Sequence, residues 1–202
     1  MLKVELINNL KEKYPNVKII GVTKYTDYVG VNAFLDAGLN NIGENRDDSF
    51  LTKFDLVEGA IWHFIGSLQT KKVRKVINKI DYLHSLDRLV LAAEIQKRAI
   101  NPVKCFVQVK TTEEDTKHGL SIDDVEQFLI DLKQYDKIEV VGFMTMAVET
   151  TDLEIQKKSF KTLQELKEKY GLLELSMGMS NDFETAIEFG ATYVRLGRIL
   201  YK

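Results

Sequence analysis

Eight short runs of β-branched and apolar residues, separated by segments of helical periodicity, constrain this 202-residue chain more than any other feature. The runs cover residues 18–22, 41–43, 62–65, 82–84, 103–109, 138–143, 172–175 and 192–196, the length and composition of buried strands. Between them, apolar residues recur at helical spacing: Val73, Val76, Ile77 and Ile80, then Ile122, Val125, Phe128, Leu129 and Leu132, then Leu153, Phe160, Leu163 and Leu166. Strand alternating with helix, repeated about eight times, favours a closed parallel barrel. The expected fold is one α/β domain over residues 1–202, a (β/α)8 TIM barrel. An open doubly wound sheet is the alternative. The turn after the first run, Gly21-Val22-Thr23-Lys24, lacks the glycine cluster that a dinucleotide site of that fold needs.

Punctuation agrees with one unit. The only prolines are Pro15 and Pro102, and no Gly/Ser-rich stretch marks a linker. Asp87, Ser121 with Asp124, and Asp182 read as helix starts. With 45% hydrophobic residues the chain can fill one core. Its 28 Lys and Arg against 30 Asp and Glu give a net charge of -2, so no broad positive field exists to hold nucleic acid. The single cysteine, Cys105, sits in an apolar run and reads as core filler. One thiol excludes an internal disulfide framework and suggests a reducing compartment. Neither a signal-peptide core nor an apolar run of about 18 residues is present, so a cytoplasmic protein is expected. No spacing suggests a metal site.

Barrel chemistry gathers at the C-terminal ends of strands, and a set of polar residues stands there. Lys24 follows the first run and Glu44-Asn45-Arg46 the second. His63 belongs to the third and His84-Ser85 closes the fourth. Met144-Thr145-Met146 follows the sixth, 176–180 the seventh, and Arg195-Leu196-Gly197 ends the eighth. A lysine pointing inward there is desolvated, which lowers its pKa and frees an amine to form a Schiff base. The other reading is a lysine reaching out to solvent.

The segment Ser176-Met177-Gly178-Met179-Ser180-Asn181-Asp182 runs from strand to helix. Its amide N–H groups, a close backbone approach at Gly178 and the Ser180 hydroxyl can hold an anion, with Gly197 offering a second approach. The plainer reading is a capped helix start, a glycine turn, and methionines that only pack. A guanidinium buried at Arg195 needs a partner: a ring nitrogen, a phosphate, or a carboxylate such as Glu44. Asn45 either orients a ring or caps the following helix. His63 and His84 read as structural hydrogen-bonders, because neither has a carboxylate nearby in sequence.

Taken in order, these segments resemble the YggS/PROSC family, the pyridoxal phosphate homeostasis proteins. The likeness covers nearly the whole chain. It includes 21–24, 42–46, 62–69, 84–87, 142–146, 175–180, 194–197 and the run Glu114-Asp115-Thr116-Lys117-His118-Gly119. The resemblance implies a barrel similar to the N-terminal domain of bacterial alanine racemase, with pyridoxal 5′-phosphate (PLP) in aldimine linkage to Lys24. It implies phosphate contacts from the Ser180 region and the backbone of Leu196 and Gly197, Met179 and Asn45 among the other cofactor-binding residues, and an Arg195 near the pyridine nitrogen. An arginine there disfavours protonation of that nitrogen and weakens the ring as an electron sink. Departures are a short first helix, Thr23 for a serine, Ser67 for a histidine and Ala147 for a proline.

Racemases of this fold carry a further β domain whose tyrosine is a second acid/base. The chain ends at Leu200-Tyr201-Lys202, so the reading expects no such domain and, at most, weak racemase activity. The implied role is cofactor storage or delivery to PLP-dependent apo-enzymes by a monomer. The competing functions are a weak racemase or decarboxylase, and a cofactor-free class I aldolase-like lyase built on Lys24.

Overall fold

Branched and aromatic side chains fit a pleated surface covered on both faces, and the runs that carry them form the strands. The computed structural model describes residues 2–112, 118–146, 150 and 152–201. Its strands are β1 (Lys18–Val22), β2 (Asn41–Glu44), β3 (Ile61–Phe64), β4 (Tyr82–Leu86), β5 (Val103–Gln108), β6 (Ile138–Met144), β7 (Glu174–Ser176) and β8 (Tyr193–Leu196). They pair in parallel in sequence order, and β8 returns to β1 to close the barrel. Closure removes the open-sheet alternative. Expected and observed strand ends differ by at most two residues, the usual uncertainty where pairing decides the boundary.

Helices pack around the outside: α1 (Val4–Lys13), α2 (Tyr28–Asp36), α3 (Asp47–Phe54), α4 (Val73–Val76), α5 (Leu89–Arg98), α6 (Val125–Leu132), α7 (Leu153–Tyr170) and α8 (Phe183–Glu188). Asp27 caps α2 and Asp152 caps α7 through side-chain bonds to backbone N–H groups. Asp87 does not cap α5. Its carboxylate takes the Arg88 guanidinium at 2.5 Å, and Arg88 occupies the cap position. Ser121 and Asp124 do bond each other before α6, but Ile122 stays 43% exposed because the helix begins only at Val125.

Period-two alternation sorts the strand side chains into two layers. Outward-facing residues such as Ile19, Ile42, Phe143 and Leu175 meet Phe34, Phe50, Phe160 and Leu163 of the helices in one large core. Each such side chain contributes about 1.5–3 kcal/mol on burial. Inward-facing Ile20, Phe106, Met144 and Tyr193 fill the barrel itself. The His63 ring stacks on Tyr82 at 4.5 Å and the His84 ring on Phe106 at 4.3 Å. Cys105 is fully buried, and burial pushes its thiol pKa up. No helix among the described residues is long and apolar enough to cross a membrane. Glu114, Asp115, Thr116, Lys117 and Ala147 lie outside the described residues.

Candidate functional site

A cavity of about 600 Å³ opens at the C-terminal ends of the strands. Six of the seven residues singled out from the sequence line it together: Lys24, Asn45, Met179, Ser180, Arg195 and Gly197. The seventh, Leu196, follows an inward-facing arginine and therefore points outward into the helix-side core. Its side chain is not part of the wall.

Lys24 stands two residues beyond β1, at the mouth. The expected desolvation is absent: the residue is exposed, and its ammonium rests over the Tyr25 ring at 4.7 Å from the centroid. The strand has already ended at Val22, so Lys24 does not take an inward strand position. The residue before it is held firmly. Thr23 is fully buried, and its hydroxyl bonds Glu44 Oε1 at 2.5 Å. Lys53 of α3 donates to Glu44 Oε1 at 2.5 Å and to the Thr23 carbonyl at 2.8 Å.

That network corrects one reading of Arg195. Glu44 is the outward-facing last residue of β2 and Arg195 is inward-facing in β8, so the barrel wall separates them. Arg195 is 4% exposed. Its Nη1 donates to the carbonyl oxygen and to Oγ of Ser176, and its Nη2 to the carbonyl oxygen of Thr145, all at 2.8 Å. Those three bonds leave two of five guanidinium N–H groups with no acceptor among the described residues. Burial lowers its pKa to about 10, with Asp182 opposing the shift, so the group stays cationic at neutral pH.

The loop after β7 divides its duties. Ser176 ends the strand, Met177 is fully buried core, and Met179 faces the cavity. Gly178 is not among the residues that line the cavity. It has φ +92, and a Cβ there would stand 2.7 Å from the Ala186 Cβ, so glycine is required for the turn and for packing on α8. Met179 N–H donates to the Asp182 carboxylate at 2.5 Å. The backbone N–H groups of Ser180, Asn181 and Gly197 have no acceptor among the described residues. Ser180 Oγ accepts from Ile199 N at 3.4 Å, tying this loop to the turn after β8.

Asn45 does not cap α3, whose cap position is Arg46 without a side-chain bond. Its Oδ1 is buried and has no hydrogen-bond partner among the described residues. Gly66 explains the placement: a Cβ there would lie 2.1 Å from the Asn45 carbonyl oxygen, so the β3 loop can rest on Asn45 only as glycine. Gly66 was visible in sequence only as part of a matching segment. Lys53, and Ser176 and Thr145 as the acceptors for Arg195, gave no sequence signal of their roles.

His63 and His84 lie inside the barrel rather than at its mouth, since β4 continues to Leu86. His63 Nδ1 meets His84 Nε2 at 2.9 Å. His63 Nε2 meets Asn41 Oδ1 at 3.0 Å, and His84 Nδ1 meets Ser176 Oγ at 2.8 Å. Burial pushes His63 down to about 3 and His84 well below its ordinary value. Both are neutral structural hydrogen-bonders, as their sequence context suggested. No cluster of three or more metal-binding side chains occurs among the described residues.

The family profile of the alanine racemase N-terminal domain matches residues 5–202. A pyridoxal phosphate homeostasis protein of Aquifex aeolicus is 37% identical over 195 residues, spanning 91% of this chain and 86% of the relative. The chain belongs to the pyridoxal phosphate homeostasis family. A second member, from Synechocystis, is 31% identical over 93% of this chain and 91% of its own length. The crystal structure of PipY from Synechococcus elongatus with PLP bound superposes with a TM-score of 0.90 at 28% identity, covering 98% of this chain and 99% of that one. Alanine racemase of Corynebacterium glutamicum shares the fold at 16% identity and a TM-score of 0.79, with 98% of this chain covering 59% of the racemase.

Proposed function

We propose that this protein binds PLP in the cavity at the barrel mouth and serves intracellular PLP homeostasis, with Lys24 as the amine that bonds the cofactor. The observation that carries the reading is a convergence. One cavity joins a primary amine, three backbone N–H groups with no acceptor among the described residues, and a buried guanidinium with donors to spare. When bound, the cofactor supplies an aldehyde that condenses reversibly with a primary amine, together with a phosphate and a ring nitrogen.

The residues present fit that group. Ser180 and the amides of Asn181 and Gly197 offer donors to a phosphate. The remaining Arg195 N–H groups would hold a fixed positive charge near the ring nitrogen, which would disfavour protonation there. Asn45, whose Oδ1 has no partner among the described residues, and Met179 line the same cavity and would flank the ring. Lys24 faces solvent, which suits exchange of the cofactor better than sealed turnover. We place the protein in the cytoplasm as a monomer that hands PLP to apo-enzymes, a setting its lone buried thiol supports. His63 and His84 give a racemase reading no support, since they bond each other inside the barrel and do not line the cavity.

The test is a titration of cofactor-free protein with PLP, followed by visible absorbance. Saturable binding with a shifted band is expected for the natural protein and loss of the shift for Lys24→Ala. A natural protein that leaves the free-cofactor spectrum unchanged overturns the binding reading, and a variant with the full shift overturns the lysine assignment.

A further inference from the structure

The interior of the barrel holds a connected row of polar groups beneath the cavity. From the mouth downward it runs Arg195, Ser176, His84, His63, Asn41, with successive heavy-atom distances of 2.8, 2.8, 2.9 and 3.0 Å. These residues come from β8, β7, β4, β3 and β2, so the row crosses the barrel.

Its direction follows from elementary donor and acceptor capacity. Asn41 Oδ1 can only accept, so His63 Nε2 carries a hydrogen. A neutral His63 then accepts at Nδ1, which requires a hydrogen on His84 Nε2. A neutral His84 accepts at Nδ1, which requires the Ser176 hydroxyl to donate. The Ser176 oxygen is left to accept from Arg195, and a guanidinium can only donate. Every member is satisfied and every bond points the same way, from Arg195 to Asn41. Stacking on Tyr82 and Phe106 fixes the ring planes, and burial keeps both rings neutral. A reversed row would give Ser176 two donors and strand its own hydroxyl hydrogen.

We infer that Ser176, His84 and His63 are positioning residues for Arg195: the one-directional row sets the angle at which the guanidinium presents its remaining N–H groups to the cofactor's ring nitrogen. This inference rests on the cofactor reading above. Ser176 is the joint, because its carbonyl and hydroxyl oxygens both hold Nη1. Removing the hydroxyl takes one of the three bonds that orient the guanidinium, leaving those to the Ser176 and Thr145 carbonyl oxygens, and leaves His84 Nδ1 without a donor.

Two measurements test it. In the cofactor-free natural protein, nitrogen-15 spectra of the imidazoles should show both buried histidines neutral with the hydrogen on Nε2. A hydrogen on Nδ1 of either ring overturns the direction of the row. Second, affinities for PLP and for its 1-deaza analogue, in which a C–H replaces the ring nitrogen, are compared in the natural protein, Ser176→Ala and Ser176→Thr. PLP should bind about tenfold more weakly to Ser176→Ala, equivalent to about 1.4 kcal/mol. Ser176→Thr, which keeps the hydroxyl, should restore binding to within about twofold. The deaza analogue should not distinguish the three proteins. Equal weakening towards both ligands means a merely structural role and overturns the inference. Failure of the natural protein to bind PLP defeats the cofactor reading and the positioning role with it, while the imidazole spectra still decide the direction of the row.

Discussion

The ammonium of Lys53 donates to the carbonyl oxygen of Thr23 at 2.8 Å, the peptide oxygen immediately before Lys24. The same ammonium meets Glu44, and the two side chains are 4% and 0% exposed. A buried pair outside the barrel wall thus fixes the backbone that carries the exposed amine at the mouth. Removing only the cation leaves a buried carboxylate with the Thr23 hydroxyl but no counter-charge, which costs about 3–5 kcal/mol. Lys53→Met should lower the free energy of urea unfolding by that amount. The double variant Lys53→Met with Glu44→Gln should recover a large part of it, since no charge then stays buried. An unchanged urea midpoint in the single variant means that the pair does not hold this corner.

Asn45 and Gly66 make a contrasting pair of substitutions. Asn45 Oδ1 bonds nothing among the described residues, so Asn45→Ala should leave unfolding within about 0.5 kcal/mol of the natural protein while weakening PLP binding. Gly66→Ala drives a Cβ into the Asn45 carbonyl oxygen at 2.1 Å, so it should lower stability by about 1–3 kcal/mol as well as affinity. Chemical denaturation beside a PLP titration separates the two outcomes.

The phosphate cradle can be tested by removing the phosphate. Ser180→Ala should weaken PLP binding about tenfold, the value of one charge-assisted hydrogen bond of about 1.5 kcal/mol. It should leave binding of pyridoxal, which lacks the phosphate, unchanged. Equal losses for the two ligands would place Ser180 outside the cradle.

Stability should fall on mild acidification. His63 is held near a pKa of about 3 by burial, and His84 is shifted the same way. Below the unfolded value of about 6.5 the unfolded chain takes up protons that the folded barrel refuses. The contribution of each ring is therefore complete above about pH 6.5 and is lost at about 1.4 kcal/mol per pH unit as pH falls towards the folded value. Urea melts between pH 7 and pH 5, above the range where most carboxylates titrate, should show this slope. A flat profile would mean that the two rings are not held neutral.

Much of this barrel is legible in the sequence because its strands are buried on both faces and read as apolar runs. Val103 through Gln108 or Ile19 through Val22 could hardly be anything else. The gathering of Lys24, Asn45, Ser180, Arg195 and Gly197 is legible for a related reason, since they stand at the same end of successive strands. The rest depends on register and direction. That Glu44 faces α3 while Arg195 faces the interior follows from strand alternation, once pairing fixes where β2 ends. His63 and His84 are 21 residues apart and meet only because β3 and β4 are neighbours. The exposure of Lys24 depends on the strand stopping at Val22, and apolar patterning does not mark that point to a single residue.

Cofactor binding at the barrel mouth turns on which amine the aldehyde finds. Reducing the protein with borohydride in the presence of one equivalent of PLP, followed by peptide mass mapping, addresses that directly. One modified peptide is expected, the one containing Lys24, with the mass of one reduced cofactor. A stoichiometric modification at any other lysine, or none at all, would contradict it.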